Sequence, residues 1–292
     1  MSDVSDRRVM IVTGATSGIG EAAAIALARH GAHLGIVARS PRKVDATIAR
    51  IRAAAPDAPV ETFIGDLALM KDVRRVADEV SRRFARIDVL VNNAGIQLTE
   101  QRATSEGLPE MVAVNYLAPW LLTSLLRERL VTSAPARVVV TASEAHRIGW
   151  SVDPETVLVD TSPFGRRGVM AAYAKSKLLD VLFTLELADR LEGTGVTANC
   201  CCPGLVATGL AGTDTLADRV AGALSRTPLV RRPDQGARVL VRLAIDPAFA
   251  TRTGQFISST PLASVLPTIP AVRDSTLRRR LWQATESLLT GT

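Results

Sequence analysis

Tyr173 and Lys177 stand four residues apart in an apolar stretch, the spacing that places two side chains on one face of a helix. A free phenol has a pKa of ~10 and is too weak an acid to exchange a proton readily near neutral pH. An ammonium held beside it favours the phenolate, each unit of lowered pKa representing ~1.4 kcal/mol of differential interaction. The pair is a candidate proton donor and acceptor. Tyr-x3-Lys is common on helices, so its meaning depends on the rest of the chain.

Upstream, Thr13-Gly14-Ala15-Thr16-Ser17-Gly18-Ile19-Gly20 joins an apolar run to a helical pattern. Gly14, Gly18 and Gly20 would let the backbone turn tightly and approach a pyrophosphate, with Thr16, Ser17 and Ile19 completing the loop. The unpaired N–H groups and dipole of the next helix suit that anion. A plain strand–helix turn is the alternative reading, but the place in the first strand–helix unit favours a dinucleotide. The second apolar run ends at Ala38-Arg39. An acidic residue there would accept from a ribose 2′-hydroxyl, which Ala38 cannot do. The Arg39 guanidinium instead suits a 2′-phosphate, with Arg42 and Lys43 adding positive potential. This reading favours NADP(H) over NAD(H), against the alternative that Arg39 is an ordinary surface charge.

Positioning these residues requires a sheet. Apolar runs at Val9–Thr13, His33–Ala38, Val60–Ile64, Val89–Val91, Arg137–Thr141, Val196–Cys200 and Gln255–Ile257 are expected strands. Between them, Ile19–His30, Arg42–Ala54, Met70–Phe84, Glu110–Leu130, Ala172–Leu191 and Asp234–Ala244 carry helical patterns, with a further short one near Leu216–Leu224. Continuous rather than alternating apolar runs mean strands covered on both faces, and this regular strand–helix alternation predicts a parallel sheet. The expected fold is α/β: one Rossmann-type, doubly wound parallel sheet of about seven strands with helices on both faces. A single NADP-binding domain over 1–292 is expected, with substrate-loop insertions near 147–170 and 205–232.

Composition narrows the function. With 47% hydrophobic residues the chain can bury a large core. Its +6 charge comes mostly from arginines spread among acids, which argues against nucleic acid as a partner. Cys200, Cys201 and Cys202 are consecutive, so neighbours in a strand would face opposite ways, poorly placed for a disulfide or a metal tetrahedron. With three histidines and no ligand spacing, no metal is expected. The opening residues carry no secretory pattern. The uncharged stretch Met111–Leu126 contains Asn115, Tyr116 and Pro119, so no membrane span is expected, and a cytoplasmic location follows.

Nearly the whole chain resembles the short-chain dehydrogenase/reductase family. Thr13–Gly20 is similar to its TGxxxGxG loop, Asn92-Asn93-Ala94-Gly95 to its NNAG motif, Tyr173–Lys177 to its YxxxK motif and Pro203-Gly204 to its PG turn. Within the family, Ala38-Arg39, Ser143-Glu144-Ala145-His146, the long insertion before Tyr173 and Leu182–Leu187 resemble the retinol dehydrogenase and protochlorophyllide-reductase-like branch. The resemblance implies that Asp66 and Leu67 meet an adenine ring. It also implies that Asn93, Ala94, Gly95, Tyr173, Lys177, Pro203, Gly204, Val206 and Thr208 contact the cofactor, Thr208 at the nicotinamide carboxamide.

By the same resemblance Asn115, Ser143, Tyr173 and Lys177 are catalytic. Ser143 would hydrogen-bond the substrate oxygen while Tyr173 exchanges its proton, and Asn115 would complete a relay with Lys177 through water. Ala142 stands where the family usually has a second serine. Thr141, on the same strand face as Ser143, is the rival for that role. His146 reads as structural. The expected activity is NADP(H)-dependent interconversion of a carbonyl and an alcohol on an apolar substrate, walled by Trp150, Phe164, Leu205, Leu210 and Leu216. The alternative is a catalytically silent cofactor sensor. Homodimers or homotetramers are implied through the helices Glu110–Leu130 and Ala172–Leu191, unless these simply pack on their own sheet.

Overall fold

Strands without polar alternation must be covered on both faces, and the sheet shows how this is done. The computed structural model describes residues 7–165, 168–206, 231–261 and 263–291. The strands are β1 (Val9–Thr13), β2 (His33–Ala38), β3 (Val60–Ile64), β4 (Val89–Asn92), β5 (Ala136–Thr141), β6 (Val196–Cys202) and β7 (Gln255–Ser258). All pair in parallel, in the order β3-β2-β1-β4-β5-β6-β7.

The helices are α1 (Gly18–Arg29), α2 (Pro41–Ala54), α3 (Met70–Arg83), α4 (Glu110–Val112), α5 (Ala118–Thr132), α6 (Pro154–Val157), α7 (Val169–Arg190), α8 (Pro233–Ile245), α9 (Pro270–Arg273) and α10 (Ser275–Thr290). Successive strand residues point to opposite faces, so Ile11, Leu90 and Val138 join the core under α3, α5 and α7, whereas Met10, Val12, Val91 and Val139 join the one under α1 and α8. The winding reverses between β1 and β4. The connections from these two strands run to opposite faces of the sheet, and sheets of this kind bind ligands at the carboxyl ends of the strands beside such a reversal.

Several elements differ from the sequence expectation, β4 and β5 by one residue each. β6 runs two residues further, to Cys202, and β7 reaches Ser258. The three cysteines are buried and free, with Cys200 in one core and Cys201 in the other. The stretch Glu110–Leu130 is not one regular helix, because a π turn at Ala113–Leu117 separates α4 from α5. No helix was expected for α6, α9 or α10, and α10 is the longest of these.

Its first turn is capped by Asp274, whose Oδ1 accepts from the N–H groups of Thr276 and Leu277 at 2.9 and 3.0 Å. Trp282 packs on Trp120 of α5 and Phe183 of α7, with ring centroids 5.1 and 6.1 Å away, and Thr285 meets the Tyr116 hydroxyl at 2.6 Å. This chain's own C-terminal helix thus covers part of the α5–α7 pair. The clustered arginines are engaged in the same packing, Arg278 with Asp189 and Arg280 with Glu155, each at 2.8 Å. No helix among the described residues is long and apolar enough to cross a membrane.

Candidate active site

The loop after β1 lies directly against the loop after β4. Gly14 has φ +66°, and a side chain there would press a Cβ to 2.8 Å from the Ala94 Cα. A Cβ on Gly20 would fall 2.2 Å from the Gly14 oxygen and 2.4 Å from Asn93 Nδ2. Only hydrogen fits at either position. The Thr13 hydroxyl pins the two loops together, its Oγ1 accepting from the N–H groups of Asn93 and Ala94, both at 3.0 Å. Asn93 Nδ2 donates back to the Thr13 carbonyl at 3.2 Å, and the Thr141 hydroxyl donates to Asn93 Oδ1 at 3.3 Å. Thr141, the rival to Ser143, therefore has its side chain engaged with Asn93.

Helix α1 starts at Gly18 after an extended Ser17, whose side chain makes no capping bond, so the first-turn N–H groups of this helix are not used by the cap. Ile19 is buried, and it, Pro203 and Val206 each border Gly236, where an added Cβ would lie 2.7 Å from Val206, 3.4 Å from Ile19 and 3.5 Å from Pro203. The turn at Pro203-Gly204 follows β6 directly, and Val206 bridges to Arg231. Arg39 projects into solvent beyond β2, without a hydrogen bond or ion pair among the described residues. Asp66, beyond β3, accepts from the Ala68 N–H at 3.0 Å, and Leu67 beside it is buried. Thr208, Leu210 and Leu216 lie outside the described residues, as do most of the 205–232 segment and the helical pattern near Leu216–Leu224. The glycine-lined approach and uncapped helix terminus fit a dinucleotide's phosphates, and Arg39 fits an added phosphate on the ribose.

Across this crevice lies α7. The Lys177 ammonium is buried, donating to the Thr141 carbonyl at 2.9 Å and to Asp180 Oδ2 at 2.8 Å. It sits 5.9 Å from the centre of the Tyr173 ring, and 3.6 Å from where a Gly95 side chain would begin. The structure therefore brings Gly95, Tyr173 and Lys177 together. Burial alone would lower the lysine's pKa, but Asp180, Tyr173 and Cys202 together, Asp180 first, outweigh it and hold the value raised.

Asn115 occupies the π turn, a feature that often marks functional helices. Its Oδ1 accepts from the Ile96 N–H at 2.8 Å, and its Nδ2 donates to the Ile96 carbonyl at 3.0 Å and to Ser176 Oγ at 2.9 Å. Both amide protons are committed, so this side chain clamps the loop after β4 to α7.

Ser143 caps the 3-10 turn Glu144–Ile148, its Oγ accepting from the Ala145 N–H at 3.1 Å. His146 Nδ1 lies 2.7 Å from the Ser143 carbonyl, and the ring packs edge-on against Phe256 at 4.6 Å. Burial lowers its pKa, which favours the neutral ring as a brace for the serine turn. Arg147 ties the same turn to the C-terminal segment through the Pro267 carbonyl at 2.7 Å. Just beyond, Trp150 is 73% exposed with φ 40°, a conformation a bulky side chain adopts only under strain. Leu205 is also exposed, and Phe164 is half-buried.

Sequence reasoning left three residues of this cluster without the parts they hold here. Thr13 pins two loops, the Thr141 carbonyl holds the lysine, and Asp180 is its counterion. Asp180 had a visible signal, a lone acid inside the apolar run Leu178–Phe183, three residues after Lys177.

Known proteins are similar to this chain along most of its length. The short chain dehydrogenase family model matches residues 8–154. The chain is 33% identical to human (Homo sapiens) retinol dehydrogenase 13 over 97% of its own length and 84% of that protein. It is 36% identical to dehydrogenase/reductase SDR family member 13 of Bos taurus, over 96% of this chain and 73% of that one. Among solved structures, an NAD(P)-dependent gluconate 5-dehydrogenase-like protein of Beutenbergia cavernae, with NADP bound at low occupancy, superposes with a TM-score of 0.67 at 32% identity, covering 87% of this chain and 95% of that one. The chain belongs to the short-chain dehydrogenase/reductase family, on its retinol dehydrogenase-like branch, and is an oxidoreductase.

Proposed function

We propose that this oxidoreductase uses NADP(H) to interconvert a carbonyl and an alcohol on an apolar substrate, with Tyr173 exchanging the proton. The observation that carries the reading is the buried Lys177 ammonium beside the Tyr173 ring, facing the glycine loops across the switch point. Gly14, Thr16, Ser17, Gly18, Ile19 and Gly20 would seat the pyrophosphate, Asp66 and Leu67 the adenine, and Asn93, Ala94, Gly95, Lys177, Pro203, Gly204, Val206 and Thr208 the remainder. A nicotinamide bound there supplies or accepts the hydride.

The chain's own residues manage the substrate oxygen. Ser143, its Oγ lone pair held by the Ala145 N–H, directs its proton to that oxygen. Tyr173 delivers its phenolic proton to the same oxygen in reduction and recovers it in oxidation, with Lys177 stabilising the phenolate. Asn115 holds the loop after β4 against α7, so any relay through it would use its backbone carbonyl or the remaining Oδ1 lone pair.

Support for an apolar substrate comes from Ile148 and Trp150, which flank Gly149 where it packs against the Ala174 carbonyl, one residue past Tyr173. Both expose apolar surface that a ligand would cover, as does Leu205 beyond Gly204.

A spectrophotometric screen of carbonyls and alcohols with NADPH, NADH and their oxidised forms tests the activity. Tight NADPH binding with no turnover across a broad panel would favour a sensor instead. Cofactor choice has its own test. Arg39→Asp should raise the KM for NADPH at least about tenfold, a loss of ~1.4 kcal/mol, while that for NADH holds or falls. An unchanged NADPH preference would refute the assignment of Arg39 to the 2′-phosphate.

A further inference from the structure

Lys177 does not meet Tyr173 as a lone charge. An ammonium has three protons, and here one goes to the Thr141 carbonyl and one to the Asp180 carboxylate, with both ends of the Lys177–Asp180 pair almost fully buried. The other carboxylate oxygen, Oδ1, is buried without a hydrogen-bond partner among the described residues, so Lys177 alone holds this acid. We propose that Asp180 is a positioning residue that anchors the Lys177 ammonium and tempers the pull of its charge on Tyr173. The inference rests on the reading of Tyr173 as the proton-exchanging group.

Two consequences of the carboxylate oppose each other at the phenol. It fixes the ammonium in place and keeps it protonated, which favours phenolate. Its own negative charge, 2.8 Å from the ammonium, cancels part of the positive field that Tyr173 experiences. In a buried site that cancellation is poorly screened by water. Among the described residues, the other titratable groups within electrostatic reach of the pair are Tyr116 from the π turn, Cys200 and Cys202 from β6, and Cys201 on the opposite sheet face. Burial pushes Cys200 up to about 12, and Cys201 and Tyr116 well above their ordinary values. Burial also pushes Asp180 up to about 6, against the opposing pull of Lys177, so above that pH the pair is ammonium and carboxylate.

The chain has two tyrosines. Burial holds Tyr116 above the ordinary phenol range, and subtracting a Tyr173→Phe blank from the alkaline titration of near-ultraviolet phenolate absorbance leaves the Tyr173 signal. In the full chain without cofactor or substrate, Asp180→Asn keeps an acceptor for Lys177 and removes the charge. The Tyr173 midpoint should fall by about one unit, a tenfold gain in acidity. Asp180→Glu, which restores the charge, should titrate close to the parent. Should the Asn variant not fold, Asp180→Ser gives the same neutral comparison. In turnover, the acidic limb of alcohol oxidation should move down with the midpoint. A midpoint that stays put or rises when Asp180 is neutralised would overturn the proposal, even if thermal stability drops. The titration involves no catalysis, so it stands apart from any failure of Tyr173 as the catalytic group.

Discussion

Tyr173→Phe should retain about one part in a thousand of the parent's turnover of a carbonyl substrate, within the 10²–10⁴ range that positioned acid–base groups contribute. That loss corresponds to ~4 kcal/mol of transition-state stabilisation. The ring itself packs on the face of α7 that bears Lys177, and phenylalanine keeps that packing. The hydroxyl has no hydrogen-bond partner among the described residues, so its removal should leave the fold intact. NADPH affinity, measured by fluorescence or calorimetry, should change less than about threefold, because a dinucleotide's phosphates and adenine lie away from the phenol. The expected signature is a fall in kcat with little change in cofactor binding. Parent-level NADPH consumption by the variant on a genuine substrate would remove Tyr173 from the chemistry and leave Ser143 or an ordered water to deliver the proton.

Much of this was readable before any coordinates. β1 and β2 have the bounds the apolar runs suggested, because a strand buried on both faces leaves an unbroken hydrophobic signal; β3, at the sheet edge with Thr62 exposed, also has its expected bounds, but without that burial. The glycine loop was legible because a Cβ at Gly14 or Gly20 has nowhere to go, and sequence records such exclusions directly. The π turn at Ala113–Leu117 was not, since one extra residue in a helical turn leaves no mark on a 3.6-residue apolar pattern when every face is buried. Helix α10 was missed for a different reason. Its apolar positions are separated by Arg278, Arg279 and Arg280, and its helical face has meaning only once Trp120 and Phe183 offer Trp282 a place. Asp274 followed by Leu277 and Leu281 was the available cue. The Lys177–Asp180 pair shows a third limit. Spacing places the two on one helix face, but only the fold reveals that Thr141 shares the ammonium and that the Asp180 carboxylate has no other hydrogen-bond partner among the described residues.

The second large effect is expected at Gly20, where a single methyl should cost at least about a hundredfold in NADPH affinity, ~2.7 kcal/mol. A Cβ there would occupy the space of the Gly14 carbonyl oxygen and the Asn93 amide at 2.2 and 2.4 Å, far inside any real contact. Neither neighbour is a flexible tip. The Gly14 oxygen is backbone, and Asn93 Nδ2 is tied to the carbonyl of Thr13, the last residue of β1. The relief available is to push the loop after β1 away from the loop after β4, which widens the crevice and breaks the bonds through Thr13 that join them. Phosphate-binding N–H groups at the start of α1 would move with it. A glycine can also matter through backbone conformation alone, and Gly31 separates the two causes. It has φ +81° with nothing within 4 Å of an added Cβ, so Gly31→Ala imposes strain without collision. That variant should lose about 1 kcal/mol of stability in denaturant unfolding and bind NADPH as the parent does. Comparable cofactor affinity in Gly20→Ala and Gly31→Ala would mean that contact between the two loops does not shape the dinucleotide seat. A hundredfold gap between them would assign the affinity to the space Gly20 leaves empty.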